Sequence, residues 1–86
     1  MNWIKKLYEY LTVKNVNVYV DPHIIGGKND GTSWENAYRS FELMQQNTNL
    51  DLISQNIKMT VNLADPYTHG KITGWIVDKT RYLYIK

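Results

Sequence analysis

Residues able to do chemistry are densest in one stretch, Val18 to Tyr38, which reads Val-Tyr-Val-Asp-Pro-His-Ile-Ile-Gly-Gly-Lys-Asn-Asp-Gly-Thr-Ser-Trp-Glu-Asn-Ala-Tyr. Asp21, Asn29 and Asp30 offer oxygen ligands for Ca²⁺. Their spacing is not that of a helix–loop–helix calcium loop, and no bidentate Glu stands at the required offset. Gly26-Gly27 could bring backbone N–H groups to a phosphate. A phosphate loop also needs Gly-Lys-Ser/Thr after a fixed gap, and a dinucleotide fingerprint needs three spaced glycines opening a helix; neither pattern is present. His23 has only His69 as a second imidazole, and the chain has no Cys, so a zinc site lacks its usual ligands. A glycosidase pair needs two carboxyls held about 5 to 9.5 Å apart in a cleft. Asp30 and Glu35 fall at an expected helix cap, and Asp65 and Asp78 fall in turns. The sequence thus leads us to expect no catalytic residue, no cofactor and no metal.

What remains for these residues is geometry. Asp21-Pro22 ends a strand, because proline cannot donate to a ladder. Gly26-Gly27 and Asn29-Asp30-Gly31 supply turns with positive φ. Thr32 or Ser33 is placed to cap a helix, and Thr32 with Glu35 has the capping-box spacing. Trp34, Ala37, Tyr38, Phe41 and Met44 follow at helical spacing, which predicts an amphipathic helix from Ser33 to about Asn47 with an aromatic stripe facing a core.

The elements on either side follow from periodicity. Asn15–Val20 alternates with Val16, Val18 and Val20 on one face, and Ile57–Leu63 alternates with Ile57, Met59, Val61 and Leu63 inward, so both read as half-buried strands. Leu50–Gln55 reads as an ambiguous segment with room for one more helical turn. Pro66 and Gly70 punctuate a turn over Ala64–Gly70. Lys71–Val77 and Arg81–Ile85 read as two further strands joined by a turn at Asp78–Thr80. Asn2 to about Thr12 reads as a short helix with Trp3, Ile4, Leu7, Tyr8 and Leu11 on one face. About ten residues do not hold a helix alone in water. It is therefore expected to dock, either on the rest of its own domain or, as an anchor, on a neighbouring subunit.

Composition narrows the classes. Eighty-six residues allow one small domain, and an apolar fraction of 43% argues against disorder. A net charge of +2 with scattered basic residues lacks the stripe of a nucleic-acid binder. No apolar run approaches the roughly 18 residues of a membrane span. Lys5, Lys6 and Glu9 break up any signal-peptide core near the starting Met, so synthesis in a cytoplasm is expected. Arg81–Ile85, just before Lys86, carries a strand signal without a cap, which would leave a sheet edge open, and the short strands after the second helix suggest either a small meander or the first coil of a solenoid.

Val18-Tyr-Val-Asp-Pro, then Gly27-Lys-Asn-Asp-Gly-Thr-Ser-Trp-Glu-Asn-Ala-Tyr, then the helix through Phe41, resembles the N-terminal cap of right-handed parallel β-helix proteins, the group of pectate-lyase-like proteins and phage tailspikes or appendages. Ile57–Thr68 looks like a first rung, with Pro66 where the family usually has Gly. The resemblance spans about residues 16 to 85. It implies an α+β fold: an N-terminal helix, then a strand, a capping helix and the first coils of a right-handed parallel β-helix. It divides the chain into an anchor and connector (1–14) and a cap with first rungs (15–86). In such proteins the helix covers the open end of the coil, which gives Asp21, Pro22, Asp30, Gly31, Thr32, Trp34, Glu35, Tyr38 and Phe41 capping roles. It further implies a virion component assembled in a host cytoplasm, a homotrimer, contacts to tail or capsid proteins through the N-terminal helix, and a host-surface glycan bound beyond this segment. The alternatives are the non-catalytic cap of a polysaccharide-degrading enzyme, or a small glycan-binding module using Trp34, Trp75 and the tyrosines.

Overall fold

The computed structural model describes residues 12–86. The expected N-terminal helix, with Trp3, Ile4, Leu7, Tyr8 and Leu11, lies outside the described residues.

Three strands form one parallel sheet in chain order: β1 (Lys14–Val20), β2 (Ile57–Leu63) and β3 (Leu83–Ile85). Lys14 pairs with Ile57 and Val20 with Leu63; Met59 pairs with Leu83 and Val61 with Ile85. This register puts Val18 and Val20 beside Val61 and Leu63 on one face, as the alternation requires. Val18, Val20, Ile57, Met59 and Val61 are buried, while Val16, Leu63, Leu83 and Ile85 pack half-buried against them.

The first return, from β1 to β2, carries two short helices, α1 (Phe41–Asn47) and α2 (Leu52–Gln55). Phe41 and Met44 from α1 and Leu52 from α2 close over the sheet and are completely buried. Each such side chain contributes about 1.5–3 kcal/mol of burial. The second return, from β2 to β3, contains only a single 3-10 turn, Pro66–Thr68. The fold is therefore a small α+β unit built on a three-stranded parallel sheet.

Several expectations are corrected. The helix predicted over Ser33–Asn47 begins only at Phe41. The reason lies at Tyr38, whose N–H donates to the Tyr19 carbonyl at 2.9 Å while its own carbonyl accepts from the Asp21 N–H at 2.8 Å. A residue committed to the edge of β1 cannot also sit inside a helix. Residues 33–37 instead make tight turns, with Asn36 N–H bonded to the Ser33 carbonyl and Ala37 N–H to Trp34. Ser40, extended at φ −153°, is the true N-cap, its hydroxyl accepting from the Leu43 N–H at 3.0 Å. Thr32 caps nothing; its backbone N–H and its hydroxyl both donate to the Asp30 carboxylate. Trp34, expected in the core, is 43% exposed. Its ring meets Tyr19 edge-on at 4.8 Å on the outer side of the sheet.

Lys71–Val77 is not a strand. A single bridge links Ile76 to Asp51, and Gly74 at φ +78° interrupts the run. The expected final strand shortens to Leu83–Ile85 because Arg81 belongs to the preceding turn.

Candidate functional site

The loop between Asp21 and Tyr38 forms a lid on the C-terminal half of β1's outer edge. Asp21 accepts the His23 N–H at 2.9 Å and releases the chain from the strand, with Pro22 behind it. Gly26, Gly27, Asn29 and Gly31 then all take positive φ. The turns are tied from the far end of the loop. The Asn36 carbonyl accepts from both Asp30 N–H (3.0 Å) and Gly31 N–H (2.8 Å), and its side-chain oxygen accepts from Lys28 N–H at 3.0 Å. Asn29 accepts from Arg39 N–H at 3.0 Å, and the Arg39 guanidinium donates to the Gly26 carbonyl at 3.1 Å. The Gly31 carbonyl accepts from Tyr19 N–H at 3.0 Å, which fastens the lid to β1.

Gly31 is buried directly against the Tyr38 ring, so a Cβ there would collide with Tyr38 Cε2 and Cδ2, and its φ of +74° excludes most side chains independently. Asp21, Pro22, Asp30, Gly31, Thr32 and Tyr38 are thus parts of the lid, Phe41 lies in the core beneath it, Trp34 rests on Tyr19, and the Glu35 side chain is exposed.

Beside the lid is a cleft of about 350 Å³. His23 comes from the lid, Arg39 and Glu42 flank the start of α1, and Asp65, Tyr67 and His69 come from the second return. The His69 ring stacks on Phe41, with centroids 5.1 Å apart and planes 10° from parallel. Asp65 caps the 3-10 turn by accepting from Tyr67 N–H at 2.9 Å, and Tyr67 itself is 94% exposed. His23 and His69, isolated in the sequence, therefore share a cavity. Among the described residues no group of three or more His, Cys, Asp or Glu side chains is arranged to hold a metal ion.

A second aromatic surface covers the outer face of the sheet. The Lys58 ammonium lies 5.0 Å from the centroid of Tyr82 and 5.6 Å from that of Tyr84, and the Asn62 amide donates to Asn17 Oδ1 at 3.2 Å. Trp75, by contrast, is no free platform: it is half-buried, and its indole N–H donates to Gln45 at 2.8 Å.

Two polar brackets were invisible in the sequence. The Gln45 amide reaches from α1 to the second return, donating to the Lys71 carbonyl at 2.9 Å and accepting from Thr73 N–H at 3.1 Å as well as from Trp75. Arg81 donates through Nε to Asn56 Oδ1 at 2.7 Å and through Nη1 to Asp78 at 2.8 Å. Asn56 is the left-handed C-cap of α2, so this bracket ties the start of β2 to the approach to β3. Gln45 and its partners, and Arg81 and Asn56, lie 25 or more residues apart along the chain, and neither Gln45 nor Arg81 carries a local motif.

The acids behave as turn residues. Backbone N–H groups of Arg81 and Thr80, with the Arg81 guanidinium, pull the Asp78 carboxyl down from 3.8 to about 2. The Thr32 hydroxyl and N–H lower Asp30. Hydroxyls are similarly engaged: Ser33 accepts from Asn36, Ser40 from Leu43, and Ser54 donates to the Asp51 carbonyl. Two hydroxyls donate to carboxylates, Thr32 to Asp30 at 2.7 Å and Thr80 to Asp78 at 3.3 Å, each within a single turn. Among the described residues no helix is long and apolar enough to cross a membrane. No family model matches the chain, and neither a curated protein nor a solved structure matches it.

Proposed function

We propose that this chain is a structural scaffold segment: the lid and first turns of a right-handed parallel β-coil, in the N-terminal, virion-attaching region of a phage tailspike, tail fibre or appendage. The observation that carries the reading is the sheet. Parallel neighbours need a long crossover, usually a helix. Here the return from β2 to β3 is irregular apart from one 3-10 turn, and the strands stack in chain order. Short returns between parallel strands in chain order suit a coil whose rungs lie on one another. The lid closes part of one edge of this sheet through Gly31 and Tyr38, which suits an end cap. The homotrimer and the tail- or capsid-protein contacts through Trp3, Ile4, Leu7, Tyr8 and Leu11 belong to the same proposal, and rest on the resemblance alone.

The test is biochemical. Peptides of this chain recovered by mass spectrometry from gradient-banded virions, and lost from particles stripped of their appendages, support the reading. Peptides confined to the soluble fraction of the lysate overturn it.

A further inference from the structure

We infer that the Asp30–Gly31 peptide is a site of spontaneous covalent modification, isomerisation to isoaspartate, which the closed lid suppresses and whose product unfastens the lid from β1. The inference goes beyond the scaffold reading and does not depend on it. Of the five glycines in the chain, only Gly31 follows an Asp or Asn. The chemistry needs that pair. The Gly31 nitrogen attacks Asp30 Cγ and an N–C bond forms. The Cγ–OH bond breaks, and the hydroxyl leaves as water with the amide proton. The product is a succinimide ring. Glycine favours the attack because no side chain shields its nitrogen. Water then adds back to the ring. Cleavage of the N–Cγ bond restores aspartate. Cleavage at the backbone carbonyl carbon instead leaves the chain running through Cβ and Cγ, as isoaspartate. Water is the only other reactant.

The folded lid opposes ring closure at both reacting atoms. Closure requires the backbone between Asp30 Cα and Gly31 N to turn. The N–H groups of Asp30 and Gly31 both donate to one acceptor, the Asn36 carbonyl, at 3.0 and 2.8 Å, so that turn breaks a hydrogen bond. The Gly31 carbonyl is held from the other side by the Tyr19 N–H at 3.0 Å. The carboxyl is held too: Asp30 Oδ1 accepts from the Thr32 hydroxyl at 2.7 Å and from the Thr32 N–H at 3.1 Å. These two bonds also lower the Asp30 carboxyl, which depletes the neutral acid that loses water most readily. The product does not fit the closed lid. It puts one extra carbon into the main chain immediately before Gly31, where the backbone lies against the Tyr38 ring. That displaces the Gly31 carbonyl from Tyr19.

The experiment incubates the full 86-residue chain beside a synthetic peptide, Lys28–Trp34, in neutral buffer with and without denaturing urea. Isomeric peptides are separated chromatographically, and electron-transfer fragmentation identifies the isoaspartyl bond. The native chain should isomerise at Asp30 at least about tenfold more slowly than the peptide, since a local opening of about 1.4 kcal/mol already gives that factor. Urea should remove the difference. Thr32→Val deletes the hydroxyl bond and should speed the native chain roughly two- to tenfold, the worth of one hydrogen bond, while leaving the peptide rate unchanged. The isoaspartyl chain, isolated and returned to native buffer, should exchange its Tyr19 amide faster than the parent. The proposal is overturned if Asp30 isomerises as fast in the native chain as in the peptide, or in neither. It is also overturned if Thr32→Val matches the parent, or if the isoaspartyl chain keeps the parent's protection at Tyr19.

Discussion

Replacing Gln45 by Met isolates the bracket between α1 and the second return, because Met keeps length and volume while losing both ends of the amide. Three hydrogen bonds disappear, at 2.9 Å to the Lys71 carbonyl, 3.1 Å from Thr73 N–H and 2.8 Å from the Trp75 indole. A net intramolecular hydrogen bond contributes about 0.5–1.5 kcal/mol. Lys71 and Thr73 are exposed, so water takes over and their loss falls at the low end. The Trp75 indole is half-buried and packs against the core, so its loss falls at the high end. The sum is about 2 kcal/mol, which for a domain of this size lowers the melting temperature by roughly 10 °C. Urea and thermal unfolding followed by tryptophan fluorescence measure the loss, and the indole N–H proton shift reports whether Trp75 has been released. A Gln45→Met protein within about 0.5 kcal/mol of the parent, with an unmoved indole resonance, would refute the assignment of Gln45 as a clamp.

Other substitutions probe the remaining elements. Phe41→Ala should cost about 3–5 kcal/mol as a cavity-forming change and Trp34→Ala about 1 kcal/mol or less as the loss of one edge contact; denaturant midpoints that rank them the other way would restore Trp34 to the core. Gly31→Ala should destabilise by at least about 1–2 kcal/mol, because strain at positive φ adds to the collision with Tyr38, and amide exchange at Tyr19 and Asp21 should quicken. On acidification the Asp78 turn should fail late. A carboxyl held below its ordinary 3.8 stabilises the fold at higher pH, and that contribution declines as pH falls from about 4 toward about 2. The chemical shifts of the Thr80 and Arg81 amides should therefore titrate with a midpoint near 2, and a midpoint near 4 would contradict the hydrogen bonds assigned to Asp78.

Strands were legible in the sequence wherever alternation met a partner. Val16, Val18 and Val20 and Ile57, Met59 and Val61 announce their inward faces because the period of two needs no tertiary information. Lys71–Val77 also alternates in part, but the backbones of Lys71 and Thr73 bond to the Gln45 side chain and that of Ile76 to Leu50 and Leu52, outside any strand, and no local pattern foretells that. The start of α1 was misplaced for a related reason. Thr32, Ser33 and Ser40 are equally good caps locally, and the choice is made by Tyr38 pairing with β1, a long-range fact. Among candidate site residues, Asp21, Asp30 and Gly31 could be read as turn formers from their types and neighbours. The cleft could not be read, since His23 and His69 come together only when the second return folds back beside the lid.

The covered edge of β1 gives the sheet a direction in time as well as in space. Tyr38 bonds to Tyr19 and Asp21, and Gly31 to Tyr19, all within one short stretch of chain, so the lid and β1 can close on each other before β2 has been made. Such local closure costs little loop entropy, whereas each parallel pairing must wait for a longer one. During synthesis, β2 would then emerge onto a template with only one edge left to pair along its full length, and β3 onto β2 in turn. A strand that meets its partner already formed has fewer wrong registers to sample, and a lid made first biases the sheet against growing backwards.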